Sequence, residues 1–169
     1  MIRVLVAYGT KRGSTKEIAE EIGDTLSDFS LKIDVAPVNE VTDVSYYGAV
    51  IVGSPIYAGR WQRDVVRFLR RHRSALSRTR VWLFHSGPLA EGAEVNQPVP
   101  ETVFELQRVI GAHGVVTFGG RLERNPRGRI AKLMASRWAG DYRDFVKVRA
   151  WANEIGRQLC PVDRSKTAS

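Results

Sequence analysis

The chain has 169 residues, is 43% hydrophobic and 26% charged, and carries a formal net charge of +8 and one cysteine. These values suit one soluble domain with a full core and exclude an internal disulfide, and no apolar run approaches the roughly 20 residues of a membrane span. The charge, with a pI near 10.1, favours acidic partners: nucleic acid, an anionic membrane surface or a phosphorylated ligand.

No charged-then-apolar leader stands before the first strand, so the expected location is the cytoplasm. The segment Ile2 to Thr15, IRVLVAYGTKRGST, runs from an apolar strand at Val4 to Ala7 into the polar loop Gly9 to Thr15. A helical pattern follows at once, with Ile18, Ala19, Ile22 and Leu26 on one face. A strand turning sharply into a helix N-terminus gathers free backbone N–H groups and the positive end of the helix dipole. Thr10, Ser14 and Thr15 add hydroxyl donors, and Gly9 and Gly13 let the backbone approach a ligand. Two readings fit this loop alone: a phosphate cradle, or an ordinary strand-to-helix turn.

Leu31, Ile33 and Val35 alternate with Lys32 and Asp34 and then meet Pro37, the pattern of a sheet edge. Ala49 to Val52, Val81 to Phe84 and Val115 to Phe118 are apolar runs of buried-strand length. Between them, Val65, Leu69, His72 and Leu76 mark one face of a helix whose other face carries Arg63, Arg67, Arg70 and Arg73. Val103, Leu106 and Ile110 mark another helix. Phe145, Val148, Ala152, Ile155 and Leu159 mark the last, with its start expected near Asp141. This alternation predicts one α/β domain over residues 1–160, a parallel sheet with helices on both faces and right-handed crossovers. Pro161 to Ser169 reads as a frayed tail.

Ligands of such sheets bind outside the carboxyl ends of the strands, where strand order reverses. The loops there are Gly9 to Thr15, then GSPIYAGRW at Gly53 to Trp61, then SGPL at Ser86 to Leu89. All are rich in Gly, Ser and Pro, and the middle one carries aromatic residues. The chain has neither G-x-G-x-x-G nor G-x-x-x-x-G-K-[ST].

This set of three loops resembles the flavodoxin family. The resemblance implies a three-layer sandwich with a five-stranded parallel sheet of order 2-1-3-4-5, and FMN as cofactor. It implies that Thr10, Lys11, Arg12, Gly13, Ser14 and Thr15 hold the FMN phosphate. Ser54, Pro55, Ile56, Tyr57, Ala58 and Gly59 would line one side of the flavin, with Tyr57 stacking on the ring. Ser86, Gly87, Pro88 and Leu89 would reach the other side. Lys11 and Arg12 depart from the commoner, threonine-rich flavodoxin loop, and they add positive charge beside a dianionic phosphate.

The last third, from GGRL at Gly119 to Leu122 to the opening of the final helix, resembles the flavodoxin-like, menaquinone-dependent protoporphyrinogen IX dehydrogenases. That likeness implies porphyrinogen oxidation with a quinone as electron acceptor, a step of heme biosynthesis. Placed on a helix, Ile130, Leu133, Met134 and Trp138 share a face, with Arg129 and Lys132 opposite. Such a segment at about 120–140 suits either a peripheral contact on the inner face of the cell membrane or packing onto the sheet. Arg121, Arg124, Arg127 and Arg129 could receive substrate carboxylates, or form a solvated loop. A flavodoxin-type electron carrier and an NAD(P)H-dependent quinone reductase are the alternatives on this fold, and +8 suits the first poorly.

The remaining candidates are plain. His85 reads chiefly as a structural histidine, with a place near the flavin as the other possibility. His72 falls on a buried stripe, His113 near a helix end, and no pair has metal-ligand spacing. Glu91 and Glu94 suit a solvated loop, and Cys160 in the tail is poorly placed for a nucleophile. No side-chain acid or base is nominated. The aromatics form no stacking platform, so nucleic acid is not an expected partner.

Overall fold

A computed structural model of the chain describes residues 1–9, 13–87, 98–122, 140–141 and 143–161, with backbone alone for 121–122 and 140–141. The elements in chain order are β1 (Ile2–Tyr8), α1 (Ser14–Ser27), β2 (Leu31–Pro37), β3 (Ala49–Tyr57), β4 (Arg60–Trp61), α2 (Arg63–Arg71) and α3 (Arg73–Leu76). They continue with β5 (Arg80–Gly87), α4 (Glu101–Ile110), β6 (His113–Gly119), β7 (Arg121–Leu122), β8 (Gly140–Asp141) and α5 (Phe145–Leu159).

The main sheet has the order β2-β1-β3-β5-β6, and every neighbouring pair along it is parallel. This is the expected 2-1-3-4-5 order. The difference is a sixth, two-residue strand, β4, which folds back antiparallel on the end of β3. Its signal is local. Ala58 and Gly59 both have positive φ, 48° and 69°, which a two-residue hairpin turn with the twist of its strands requires. A separate pair joins β7 to β8, with Arg121 opposite Asp141 and Leu122 opposite Gly140.

Successive side chains of β1 point to opposite faces, and both faces are covered. Leu5 and Ala7 join Val50, Val52, Val65, Leu69, Val103 and Ile110 in one core. Val4 and Val6 join Ile18, Ile22, Phe84, Val148 and Ile155 in the other. Thus α2 and α4 lie on one side, and α1 and α5 on the other. The second pair is tied by charge as well: Arg143 bonds Glu17, and Arg149 bonds Glu21 at 2.8 Å.

β2 is a sheet edge, as its alternation predicts. Its Asp34 takes hydrogen bonds from Arg3 at 2.8 Å and from the Tyr47 hydroxyl at 2.9 Å. The Arg3 bond is the main reason its carboxyl titrates below the usual range.

Two helix expectations need correction. The single helix expected from Arg63 through Leu76 is interrupted at His72 (φ −99°, ψ 9°). The apolar stripe survives the interruption, since Val65, Leu69 and Leu76 are all fully buried. The last helix starts at Phe145 rather than near Asp141. Asp144 caps it by accepting from the N–H groups of Val146 and Lys147, while Asp141 is taken up in β8.

Candidate cofactor site

Because β1, β3 and β5 are parallel, their carboxyl ends and the loops that follow open on one edge of the sheet. The chain leaves β1 for β2 on one side and returns to β3 on the other, so strand order reverses between β1 and β3. That crevice is where an open α/β sheet binds its ligand.

The first two loops are joined at their roots, where the Gly9 N–H donates to the Gly53 carbonyl at 2.9 Å. Gly9 also lies tight under the start of α2. A Cβ built there would come within 2.3 Å of Val65 Cγ2 and 2.8 Å of Gln62 Oε1. Gly13 then takes a left-handed conformation, φ 83°, as the N-cap of α1, a position where glycine itself brings no capping side chain. The positive end of the α1 dipole lies at this N-terminus.

The nominated residues that are described converge. Ser14 and Thr15 are buried at the start of α1. Thr15 Oγ1 lies 2.8 Å from Ser86 Oγ, joining the first loop to the third. Ser54 is fully buried; its hydroxyl donates to the Pro55 carbonyl at 2.9 Å and accepts from the Gln62 N–H at 3.0 Å. This fixes the root of the β3–β4 hairpin to the beginning of α2. Pro55 and Ile56 are buried, Tyr57 is half-buried, and Ala58 and Gly59 are exposed at the turn. Thr10, Lys11, Arg12, Pro88 and Leu89 lie outside the described residues, as do Glu91, Glu94, Arg124, Arg127, Arg129, Ile130, Lys132, Leu133, Met134 and Trp138.

Two residues not nominated from sequence belong to the same crevice. Gln62 Oε1 is buried beside Gly9 and has no hydrogen-bond partner among the described residues. Gly120 donates to the Gly87 carbonyl at 2.7 Å. A Cβ on Gly120 would come to 3.3 Å from the Gly87 backbone, so the β6 exit presses against the third loop. The Gly119–Gly120 doublet was a sequence signal for that close approach; Gln62 carried none.

His85 is fully buried and bonded at both ring nitrogens, to Trp61 Nε1 at 3.0 Å and Thr117 Oγ1 at 2.8 Å. Burial lowers its pKa to about 4, so it is a neutral structural histidine at pH 7. His72 has its pKa lowered by burial and by Arg71, and His113 stacks on Trp82 with centroids 4.8 Å apart. Among the described residues, no cluster of His, Cys, Asp or Glu could hold a metal ion. Among them too, no helix is long and apolar enough to cross a membrane.

The residues present fit FMN. The α1 N-terminus, with the dipole's positive end and the hydroxyls of Ser14 and Thr15, suits a phosphate, and the Gln62 carbonyl, without a partner among the described residues, suits a hydroxyl donor such as those of a ribityl chain. Tyr57, half-buried at the end of β3, supplies an aromatic residue to the hairpin.

Comparison with known proteins agrees with this geometry. The model of the Flavodoxin domain matches residues 5–140. Protoporphyrinogen IX dehydrogenase [quinone] of Escherichia coli (strain K12) is 26% identical over 78 residues, 45% of this chain and 43% of that protein. The match therefore spans less than half the length of that relative. A flavodoxin from the domain Archaea superposes with a TM-score of 0.64 at 14% identity, covering 94% of this chain and 99% of that one. Oxidised Flavodoxin 1 from Bacillus cereus gives 0.62 at 14% identity, covering 93% and 99%. At these identities the solved structures show the fold, whereas the family model covers most of the chain. The chain belongs to the flavodoxin domain family, and its cofactor is FMN.

Proposed function

We propose that the chain is an FMN-dependent dehydrogenase that oxidises protoporphyrinogen IX to protoporphyrin IX with a quinone as electron acceptor. The observation that carries this reading is the local likeness to the Escherichia coli quinone-linked enzyme. The net charge of +8 supports it, since a substrate with two propionates is drawn to a basic surface.

Bound FMN supplies a two-electron acceptor and donor at its ring. In this reading the chain's part is to hold and shield. The α1 N-terminus with Gly13, Ser14 and Thr15, together with Thr10, Lys11 and Arg12, binds the phosphate. Ser54 to Gly59, with Tyr57 foremost, cover one side of the ring, and Ser86 to Leu89 the other. The Thr15–Ser86 contact keeps the phosphate end and the ring end in fixed relation. The six-electron change from porphyrinogen to porphyrin uses three quinones, each released as quinol. The acceptor is dissolved in lipid, so the basic segment at about 120–140 is assigned to peripheral contact with the inner face of the membrane.

The test is anaerobic turnover. FMN-loaded protein is mixed with protoporphyrinogen IX and a menaquinone analogue, and porphyrin fluorescence is followed. Quinone-dependent growth well above the enzyme-free rate is expected, and its absence overturns the reading. A second reading, a flavodoxin-type electron carrier, is favoured by the near full-length superposition on flavodoxins. Rapid reduction by a flavodoxin reductase, without porphyrinogen turnover, would select it.

A further inference from the structure

Beside the hairpin lies a groove of about 600 Å³ to which Arg60, Arg63, Arg67 and Arg70 all contribute. Arg60 comes from β4 and the other three from α2, where spacings of four and three residues put them on one helix face. The apolar part of the lining is Trp61, Val66 and Pro100 with Val103 of α4. The groove thus combines an apolar lining with a row of guanidinium groups.

Among the described residues the charge of this row is largely unbalanced. Among the described residues only Arg67 has an ion-pair partner, Asp64 at 3.4 Å, and both are well exposed. Such a pair contributes little. The helix dipole accounts for Arg70, in the last turn of α2, but not for Arg63, which opens the helix where a cation is disfavoured. No lysine occurs between positions 60 and 80; the cations there are arginines, whose planar fork binds carboxylates in pairs of hydrogen bonds. Four guanidinium groups around an apolar lining, three of them without an ion-pair partner among the described residues, suit an anionic amphiphile better than bulk water.

The groove also borders the cofactor crevice. Arg60 is the cross-strand partner of Tyr57, and such partners stand about 5 Å apart at their Cα atoms. A carboxylate on Arg60 or Arg63 therefore belongs to a molecule whose body extends along the hairpin that flanks the ring site. We infer that the groove between β4, α2 and α4 is the carboxylate anchor of the substrate, a molecule with an apolar ring body and at least two carboxylates. The identity of that molecule as a tetrapyrrole rests on the function proposed above.

The test uses protoporphyrin IX as a stable dicarboxylate probe and its dimethyl ester as the uncharged control, with FMN-loaded protein. Binding is read from the Soret band in the native chain and in the Arg63→Gln/Arg67→Gln variant, whose retained FMN reports folding. The diacid should bind the variant about tenfold more weakly or worse, as expected for lost charge-assisted bonds, with ester binding unchanged. In turnover the same variant should raise KM with little change in kcat. Equal affinity of both proteins for the diacid overturns the anchor. So does a variant that loses binding only to phosphatidylglycerol vesicles, which would make the groove a lipid-headgroup surface. The two proposals fail separately. Arginine-dependent diacid binding without porphyrinogen turnover keeps the anchor and removes the enzymatic reading. Turnover with an unchanged KM in the variant does the reverse.

Discussion

The indole N–H of Trp61 donates to Nδ1 of His85 at 3.0 Å, which joins the outer strand of the hairpin to the strand that ends in the third loop. Because tryptophan can only donate, Nδ1 must accept, and the proton of the neutral ring sits on Nε2 and faces Thr117 Oγ1 at 2.8 Å. A second proton would set an N–H on Nδ1 against the indole N–H. The tautomer is therefore fixed by the strands on either side.

This arrangement makes the fold sensitive to acid in a defined window. The pKa of His85 is lowered from 6.5 to about 4 by burial, so between these values the unfolded chain binds more protons than the folded one. Stability from this group is complete above pH 6.5 and is lost as pH falls toward 4, by a total on the order of 3 kcal/mol. Urea unfolding of the native chain and of His85→Gln, at several pH values from 7 to 4, should show a shallower pH dependence in the variant. Identical slopes would remove His85 as the titrating group.

The Gln62 carbonyl, unpartnered among the described residues, gives a prediction with opposite signs on two measurements. Replacing it in Gln62→Leu removes a buried acceptor that lacks a hydrogen bond, so the apoprotein should be as stable as before or more so, by up to about 1 kcal/mol. FMN binding should weaken about five- to tenfold, because the acceptor is then missing when the cofactor is in place. Thermal melts of the apoprotein and quenching of FMN fluorescence on titration read the two effects. A loss in both would mean that Gln62 is simply structural.

The Thr15–Ser86 contact should be measurable as a coupling. Thr15→Val and Ser86→Ala each leave a buried hydroxyl without its partner, and each should cost about 1 kcal/mol. The double variant should cost less than the sum of the two, by roughly 0.5–1.5 kcal/mol. The same cycle run on FMN affinity tests whether the contact holds the first and third loops in register for the cofactor. Strict additivity in both would make the contact incidental.

Ala58 is a non-glycine residue with φ 48°. The left-handed region costs an alanine about 1 kcal/mol, and asparagine tolerates it better. Ala58→Asn should therefore raise the melting temperature by about 1–3 °C. Since the position is exposed at the tip of the hairpin, a fall in melting temperature would show that the turn relies on some other contact of Ala58.

Much of this fold was legible because buried parallel strands are written as apolar runs, and edges as alternation. Val4 to Ala7 and Val81 to Phe84 show the first pattern, and Leu31 to Val35 the second. The three loops were legible for the same reason, since they are polar, glycine-rich breaks at the carboxyl ends of such runs. What stayed hidden depends on tertiary contact or on a local choice between equals. The apposition of Gln62 and Gly9 exists only because α2 packs over the first loop. The interruption at His72 leaves the stripe of Val65, Leu69 and Leu76 on one side, so periodicity does not register it. Asp141 and Asp144 are equally good caps on paper, and the pairing of Asp141 with Arg121 in β7–β8 leaves the role to Asp144.

That small pairing has an architectural consequence. By holding Leu122 against Gly140, it makes residues 123–139 begin and end at one place, while the rest of the domain folds on either side. A segment closed in this way is a cassette: doubling its length costs only about 0.6 kcal/mol in closure entropy. Replacing it with a tight turn should leave the sheet order and the FMN crevice intact. A change of length between Leu122 and Gly140 therefore leaves in place the two ends that this pairing fixes.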